Sequence, residues 1–199
     1  QQAADHSLDV SAGLTLLPRA PADGDQGATD PHVWLNPLNM AAIGTAITGR
    51  LSETTPDSTT IIAANNASLG DEMASLHEEF TAGLASCRST IMVVSHEAFA
   101  YLGAAYGFTQ VGISGLSPDA EPSPARMRDV ADLVAREGVT TIYYETLVDP
   151  KVAKTLADET GATSAVLDPL EGLVAGSSNS YPTIMSKNLA TLRAGQGCA

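Results

Sequence analysis

Three side chains in this sequence bear metal-ligating groups at comparable places. His32 stands just ahead of a helix start in Asp30-Pro31-His32-Val33-Trp34-Leu35-Asn36-Pro37, His96 follows an apolar run that ends at Ser95, and Asp168 follows one that ends at Leu167. Two imidazoles and a carboxylate form a borderline-hard donor set that suits Zn2+, and the imidazoles argue against calcium or magnesium. His32 is held stiffly, because Pro31 and Pro37 each lock their own φ and push the preceding residue out of the helical region. Alone, the stretch has two readings: a metal ligand, or a turn histidine whose neighbour Trp34, the only tryptophan, plugs the core. Asp168 alone reads as an Asp-Pro turn, and only the company of the histidines raises it to a ligand. Glu145, after Ile142-Tyr143-Tyr144, is placed to accept an imidazole N–H, or to cap a helix or serve as a hinge. His77 and Glu78 sit among polar residues and read as a solvated helix face.

Enzyme motifs are incomplete. His96-Glu97 begins like the zinc-protease pattern HExxH, but its fifth position is Ala100. Ser114, in Gly112-Ile113-Ser114-Gly115-Leu116, is one residue off the GxSxG nucleophile elbow, and there is neither GxGxxG nor a P-loop. A net charge of −13 argues against nucleic acid or an anionic membrane surface as partner. No apolar run approaches the length that crosses a bilayer, and Gln1-Gln2 opens the chain without Met, basic start or hydrophobic signal region, as in a processed or excised chain. Cys87 and Cys198 lack CxxC spacing and histidine neighbours, so zinc-finger and thioredoxin readings fail. A disulfide tying the tail to the second half is expected and implies an oxidising compartment; two buried thiols are the alternative.

The elements that must position these groups follow from pattern. Residues 8–17 form a short apolar strand or turn, and Arg19 to Thr29 a mobile surface loop holding Pro21, Gly24 and Gly27. Asn36-Pro37 reads as N-cap and first helical residue of a helix to about Ser52. A long amphipathic helix over 56–86 carries Leu69, Met73, Leu76, Phe80 and Leu84 at helical spacing, with Thr55-Pro56 as its start signal. Then strands and helices alternate: strand Thr90–Val94, helix Glu97–Tyr106, strand Gln110–Ile113, and a helix opened by Ser123-Pro124 and closed by Gly138. Strand Thr140–Tyr144, helix Pro150–Thr160 closed by Gly161, strand Ser164–Leu167 and a final helix from about Tyr181 to Arg193 complete the chain. Such a βαβαβαβ run predicts parallel strands and a ligand site at their carboxyl ends.

Together the residues resemble the metal-binding solute-binding proteins of bacterial zinc and manganese ABC importers, in particular the zinc-type lipoproteins. The matching stretches are DPHVWLNP (30–37), the long helix after it, SHEAFAYLGAAYGF (95–108), GISGLSPDAEPSPARM (112–127), TIYYETLVDPKVAKTLADETG (141–161) and VLDPLEGL (166–173). The resemblance implies two parallel-sheet α/β lobes joined by one rigid long helix, with the metal between them. It divides the chain into 1–55 (N-lobe), 56–86 (linking helix) and 87–199 (C-lobe), and assigns His32, His96 and Asp168 as ligands. Family members carry roughly a hundred further N-lobe residues, with another histidine ligand, ahead of the segment that opens this chain, so the N-lobe is incomplete here. His6 is the local substitute for that ligand, in a terminus expected to fray. Manganese-type members carry Glu where this chain has His96, so the match favours Zn2+ over Mn2+, and the 19–29 loop lacks the histidines with which many zinc members capture metal.

The expectation is therefore an extracytoplasmic zinc receptor, lipid-anchored in its full-length form, that delivers the ion to an ABC permease without chemical turnover. Unpaired N-lobe surface would invite dimerisation. Two rivals stand beside it: a zinc hydrolase with Glu97 or Glu145 as base, and a truncated interaction module that binds no metal.

Overall fold

The structure, a computed structural model, describes residues 7–19, 28–115, 121–173 and 176–199. Four runs of β-branched and aromatic residues form strands: β1 (Ile91–Val94), β2 (Thr109–Gly112), β3 (Thr141–Tyr144) and β4 (Thr163–Val166). They pair in parallel in the order β2-β1-β3-β4, with Val94 opposite Gly112 and Tyr143 and with Tyr144 opposite Val166, as the alternating pattern predicts. The chain runs outward from β1 to β2 and then returns to β3 on β1's other side. The carboxyl ends of β1 and β3 therefore flank the point where the winding reverses, the usual place for a ligand in an open sheet.

Successive side chains of a strand face opposite ways, and in the central strands β1 and β3 both faces are covered. Met92, Val94 and Tyr143 pack with α2 (Thr59–Gly83), α3 (Ala100–Tyr106) and α6 (Tyr181–Gln196), through Phe80, Leu102, Met185 and Leu192 among others. Val93 and Ile142 face the opposite way, against Val130 and Val134 of α4 (Pro124–Glu137) and Leu156 of α5 (Lys151–Thr160). Helix α4 begins where the sequence signals it. The Ser123 hydroxyl accepts from the Arg126 N–H at 3.1 Å, Pro124 occupies the first turn, and Gly138 ends the helix at φ +64°, a conformation that glycine adopts without a Cβ penalty.

Two boundaries differ from the periodicity. Thr55-Pro56 starts a 3-10 turn, Pro56–Ser58, and α2 proper runs from Thr59 to Gly83, roughly 37 Å at 1.5 Å per residue. Helix α3 begins at Ala100 rather than Glu97, because residues 97–99 are pinned elsewhere: Glu97 N–H to Gly115 O, Ala98 N–H to His96 O, and Phe99 N–H to the Gln110 side chain. Residues 8–17, for which the sequence left strand and turn open, contain a turn at 10–13, followed by a bridge between Pro18 and Thr29. Between the partners of that bridge, residues 20–27 of the expected loop lie outside the described residues. Helix α1 (Pro37–Thr54) is capped by Asn36 and approaches α2 at Gly44, where a Cβ would press on Leu69.

The Tyr143 phenol is buried and has no hydrogen-bond partner among the described residues. It stands against Gly195 of α6, where an added Cβ would meet the phenol oxygen and lie 3.1 Å from the Thr141 Cβ. Gly195→Ala is expected to destabilise the chain by about 1–3 kcal/mol through overpacking, and Tyr143→Phe, by deleting that oxygen, to restore most of the loss. Urea unfolding of both single variants and the double variant reads this; equal losses with and without the phenol would refute it.

Candidate metal centre

His32 is the N-cap of a 3-10 turn, Val33–Leu35, and lies between Pro31 and the buried Val33. Asp30 grips it twice, the Oδ1 atom accepting from the His32 backbone N–H at 2.8 Å and sitting 2.7 Å from ring Nδ1. The Tyr101 hydroxyl donates in turn to the Asp30 carbonyl at 2.9 Å. His96 follows β1, and its Nδ1 lies 2.5 Å from Oε1 of Glu145, which follows β3. Asp30, Glu145 and both imidazoles are buried. Glu145 thus does what the sequence suggested as one of its roles, accepting an imidazole N–H.

With each Nδ1 given to a carboxylate, each Nε2 carries the free lone pair, and both point at one place. His32 Nε2 is 2.9 Å and His96 Nε2 3.4 Å from the same atom, Oε1 of Glu171, with ring centroids 5.4 Å apart. His96 Nε2 has no hydrogen-bond partner among the described residues. Three acceptors converging on one point need a cation between them, either a proton or a metal ion. Their donor atoms lie within 4.8 Å of one another, and His32, His96 and Glu171 are the only such group among the described residues. Tetrahedral zinc takes this donor set readily.

Of the residues expected from the sequence, His32 and His96 meet and Asp168 stands apart from them. The Asp168 carboxylate accepts from the Leu170 N–H at 2.8 Å and the Thr146 hydroxyl at 3.0 Å. Glu171, three residues on, takes the place beside the imidazoles. It was within the VLDPLEGL stretch, but no strand-end rule singles it out. His77 Nδ1 lies 3.2 Å from the Tyr106 hydroxyl, away from the cluster, and His6 lies outside the described residues.

Burial alone lowers the pKa of His96, but the hydrogen bond and charge of Glu145, followed by those of Glu171, outweigh it and raise the value above 6.5. The folded chain thus holds this proton more tightly than the unfolded one. The stability it contributes is complete below pH 6.5 and is lost as pH rises through the raised value. A metal at Nε2 must displace the same proton. Zinc affinity is therefore expected to fall about tenfold for each unit by which pH is lowered, per proton displaced, with the decline already under way above the pKa of a free imidazole. Chelator competition between about pH 5 and 8 measures it, and an affinity flat across that window would contradict the assignment.

The fold and cluster define a class: a parallel α/β protein in which two buried imidazoles and a part-exposed carboxylate converge near the winding reversal. The chain belongs to the family described as zinc-uptake complex component A, periplasmic (ZnuA), which matches residues 1–195. It is 39% identical over 174 residues to the zinc-binding protein AdcA of Streptococcus pyogenes, covering 86% of this chain and 34% of that protein. It is 34% identical over 169 residues to the high-affinity zinc uptake system protein ZnuA of Bacillus subtilis, covering 83% of this chain and 53% of that one. The chain thus spans about a third to a half of the length of these relatives. Among solved structures, the Zn(II)-bound ZnuA-like domain of Streptococcus pneumoniae AdcA superposes with TM-score 0.80 at 34% identity, over 95% of this chain and 69% of that one. The laminin-binding adhesin Lmb of Streptococcus agalactiae, in a mutant form, gives 0.87 at 31%, over 98% and 74%.

Proposed function

We propose that this chain is the zinc-holding part of an extracytoplasmic receptor that passes Zn2+ to an ABC-type permease, with His32, His96 and Glu171 as ligands. The observation that carries the proposal is the convergence of two buried Nε2 atoms on one carboxylate oxygen, each imidazole oriented from behind by its own carboxylate. Membership of a periplasmic zinc-uptake family supports both the ion and the compartment. A relative named as a zinc-binding lipoprotein, AdcA of Streptococcus pneumoniae, supports a lipid anchor on the full-length protein. Glu171 replaces Asp168 in the ligand set expected from the sequence, since Asp168 is engaged by Leu170 and Thr146.

Binding without turnover fits the site better than hydrolysis. A hydrolase needs a free general base beside the metal, whereas the Glu145 carboxylate is bonded to His96. The division into 1–55, 56–86 and 87–199 assigns His32 to the first unit and His96 with Glu171 to the third, so the ion would bridge them. Self-association would use the side of α1 on which Ile47 and Leu51, one turn apart, are exposed.

Titration of the metal-free chain with Zn2+ against a competing chelator, and separately with Mn2+, is the direct test. Tight one-to-one zinc binding with weaker manganese binding is expected from the imidazole-rich donor set. A chain that takes up no zinc would defeat the reading.

A further inference from the structure

Glu171 differs from the two histidines in how it is held. His32 and His96 are buried on stiff segments, whereas Glu171 sits in a loop with 31% of its side chain exposed. That loop is fixed from two sides. On one side the Asn188 side chain of α6 pairs with the Asp168 backbone, accepting its N–H at 2.9 Å and donating to its carbonyl at 2.7 Å. On the other, the Trp34 indole N–H donates to the Pro169 carbonyl at 2.7 Å, and the Tyr181 hydroxyl of α6 holds the Trp34 carbonyl at 2.7 Å. Between these grips Leu170 takes φ +56°, a left-handed conformation that a residue with a branched side chain adopts only when its surroundings impose it.

Trp34 is two residues from His32, and Pro169 is two residues from Glu171. The indole bond therefore closes a small circuit: His32 to Trp34 along the chain, Trp34 to Pro169 by hydrogen bond, Pro169 to Glu171 along the chain, and Glu171 back to His32 at 2.9 Å. Resting on the ligand set proposed above, we infer that Trp34 is a positioning residue for Glu171: its indole N–H sets the gap between carboxylate and imidazoles that the zinc ion occupies. The T-shaped contact of the indole with the His32 ring, 5.4 Å between centroids, is a packing contact that phenylalanine can keep. The N–H is what phenylalanine lacks.

The test is a double-mutant cycle read by zinc competition. Trp34→Phe is expected to weaken zinc binding about tenfold or more, the range for partners that orient metal ligands, and to do nothing further in a Glu171→Gln background. Tyr181→Phe, which frees the Trp34 carbonyl, serves as a second variant with the same expectation in both backgrounds. Unchanged affinity in Trp34→Phe overturns the inference and leaves the receptor reading intact. Equal losses in both backgrounds also overturn it, because they mean that the indole supports the fold generally rather than Glu171. If the unsubstituted chain binds no zinc, the receptor reading fails and this inference with it.

Discussion

Zinc added to the His96→Ala chain is expected to bind more than about 100-fold more weakly than to the unsubstituted chain, beyond the range seen when only a ligand's supporting partner is lost. The substitution removes the donor least replaceable by water, because its Nε2 is enclosed in protein. It also leaves Glu145 buried without its imidazole partner, so some loss of stability accompanies the loss of binding. Calorimetry on protein first shown to be folded separates the two effects. Two further variants decide the third ligand. Glu171→Gln, with a weaker amide donor, is expected to reduce affinity far more than Asp168→Asn, whose remaining carbonyl oxygen can still accept the Leu170 N–H. The reverse order would restore Asp168 to the ligand set, and wild-type affinity in His96→Ala would remove the pocket altogether.

The second large effect concerns the bond between Cys87 and Cys198, which closes a loop with a sequence separation of 111. Cross-linking a loop of that length restricts the unfolded chain by about 4–5 kcal/mol in the chain-entropy account. Against a typical total of about 5–15 kcal/mol, this is about a quarter or more of the stability. The same corner is held by backbone bonds, Arg88 N–H and Ser89 N–H to Gln196 O and Ala199 N–H to Ser86 O, so the native geometry does not depend on the sulfurs alone. The Cys87→Ser, Cys198→Ser double variant is thus expected to keep its fold while its denaturant midpoint drops sharply. A loss below about 1 kcal/mol would mean that the unfolded chain is already restrained without the cross-link.

Much of this architecture is legible in the chain because local signals and burial agree. Strands β1 and β3 are apolar on both faces because both faces are covered, and the Ser123-Pro124 start and Gly138 stop of α4 need only local chemistry. His32 and His96 are legible for a related reason: a strand end and a proline-braced turn are places a sequence can mark. Glu171 is not, because its approach depends on Leu170 turning left-handed, and a leucine gives no hint of that conformation. The strand-end rule stops at Asp168, the first polar residue after β4, when the chain still has a turn to make. Likewise Thr55-Pro56 correctly announces a helical start, but the first turn tightens to 3-10 before α2 begins, a distinction within the range over which helix ends vary.

The exposure of Glu171, unlike either imidazole, has a kinetic corollary. In the proposed site an ion would have buried nitrogens on two sides and meet the solvent along the carboxylate, so hydrated zinc would exchange its first water there on arrival and break that contact last on leaving. Scavengers would approach from the same exposed side, and their size would then govern how fast they strip the metal. Compact chelators should unload the protein quickly, and bulky ones of equal affinity should be rate-limited by spontaneous release of the ion.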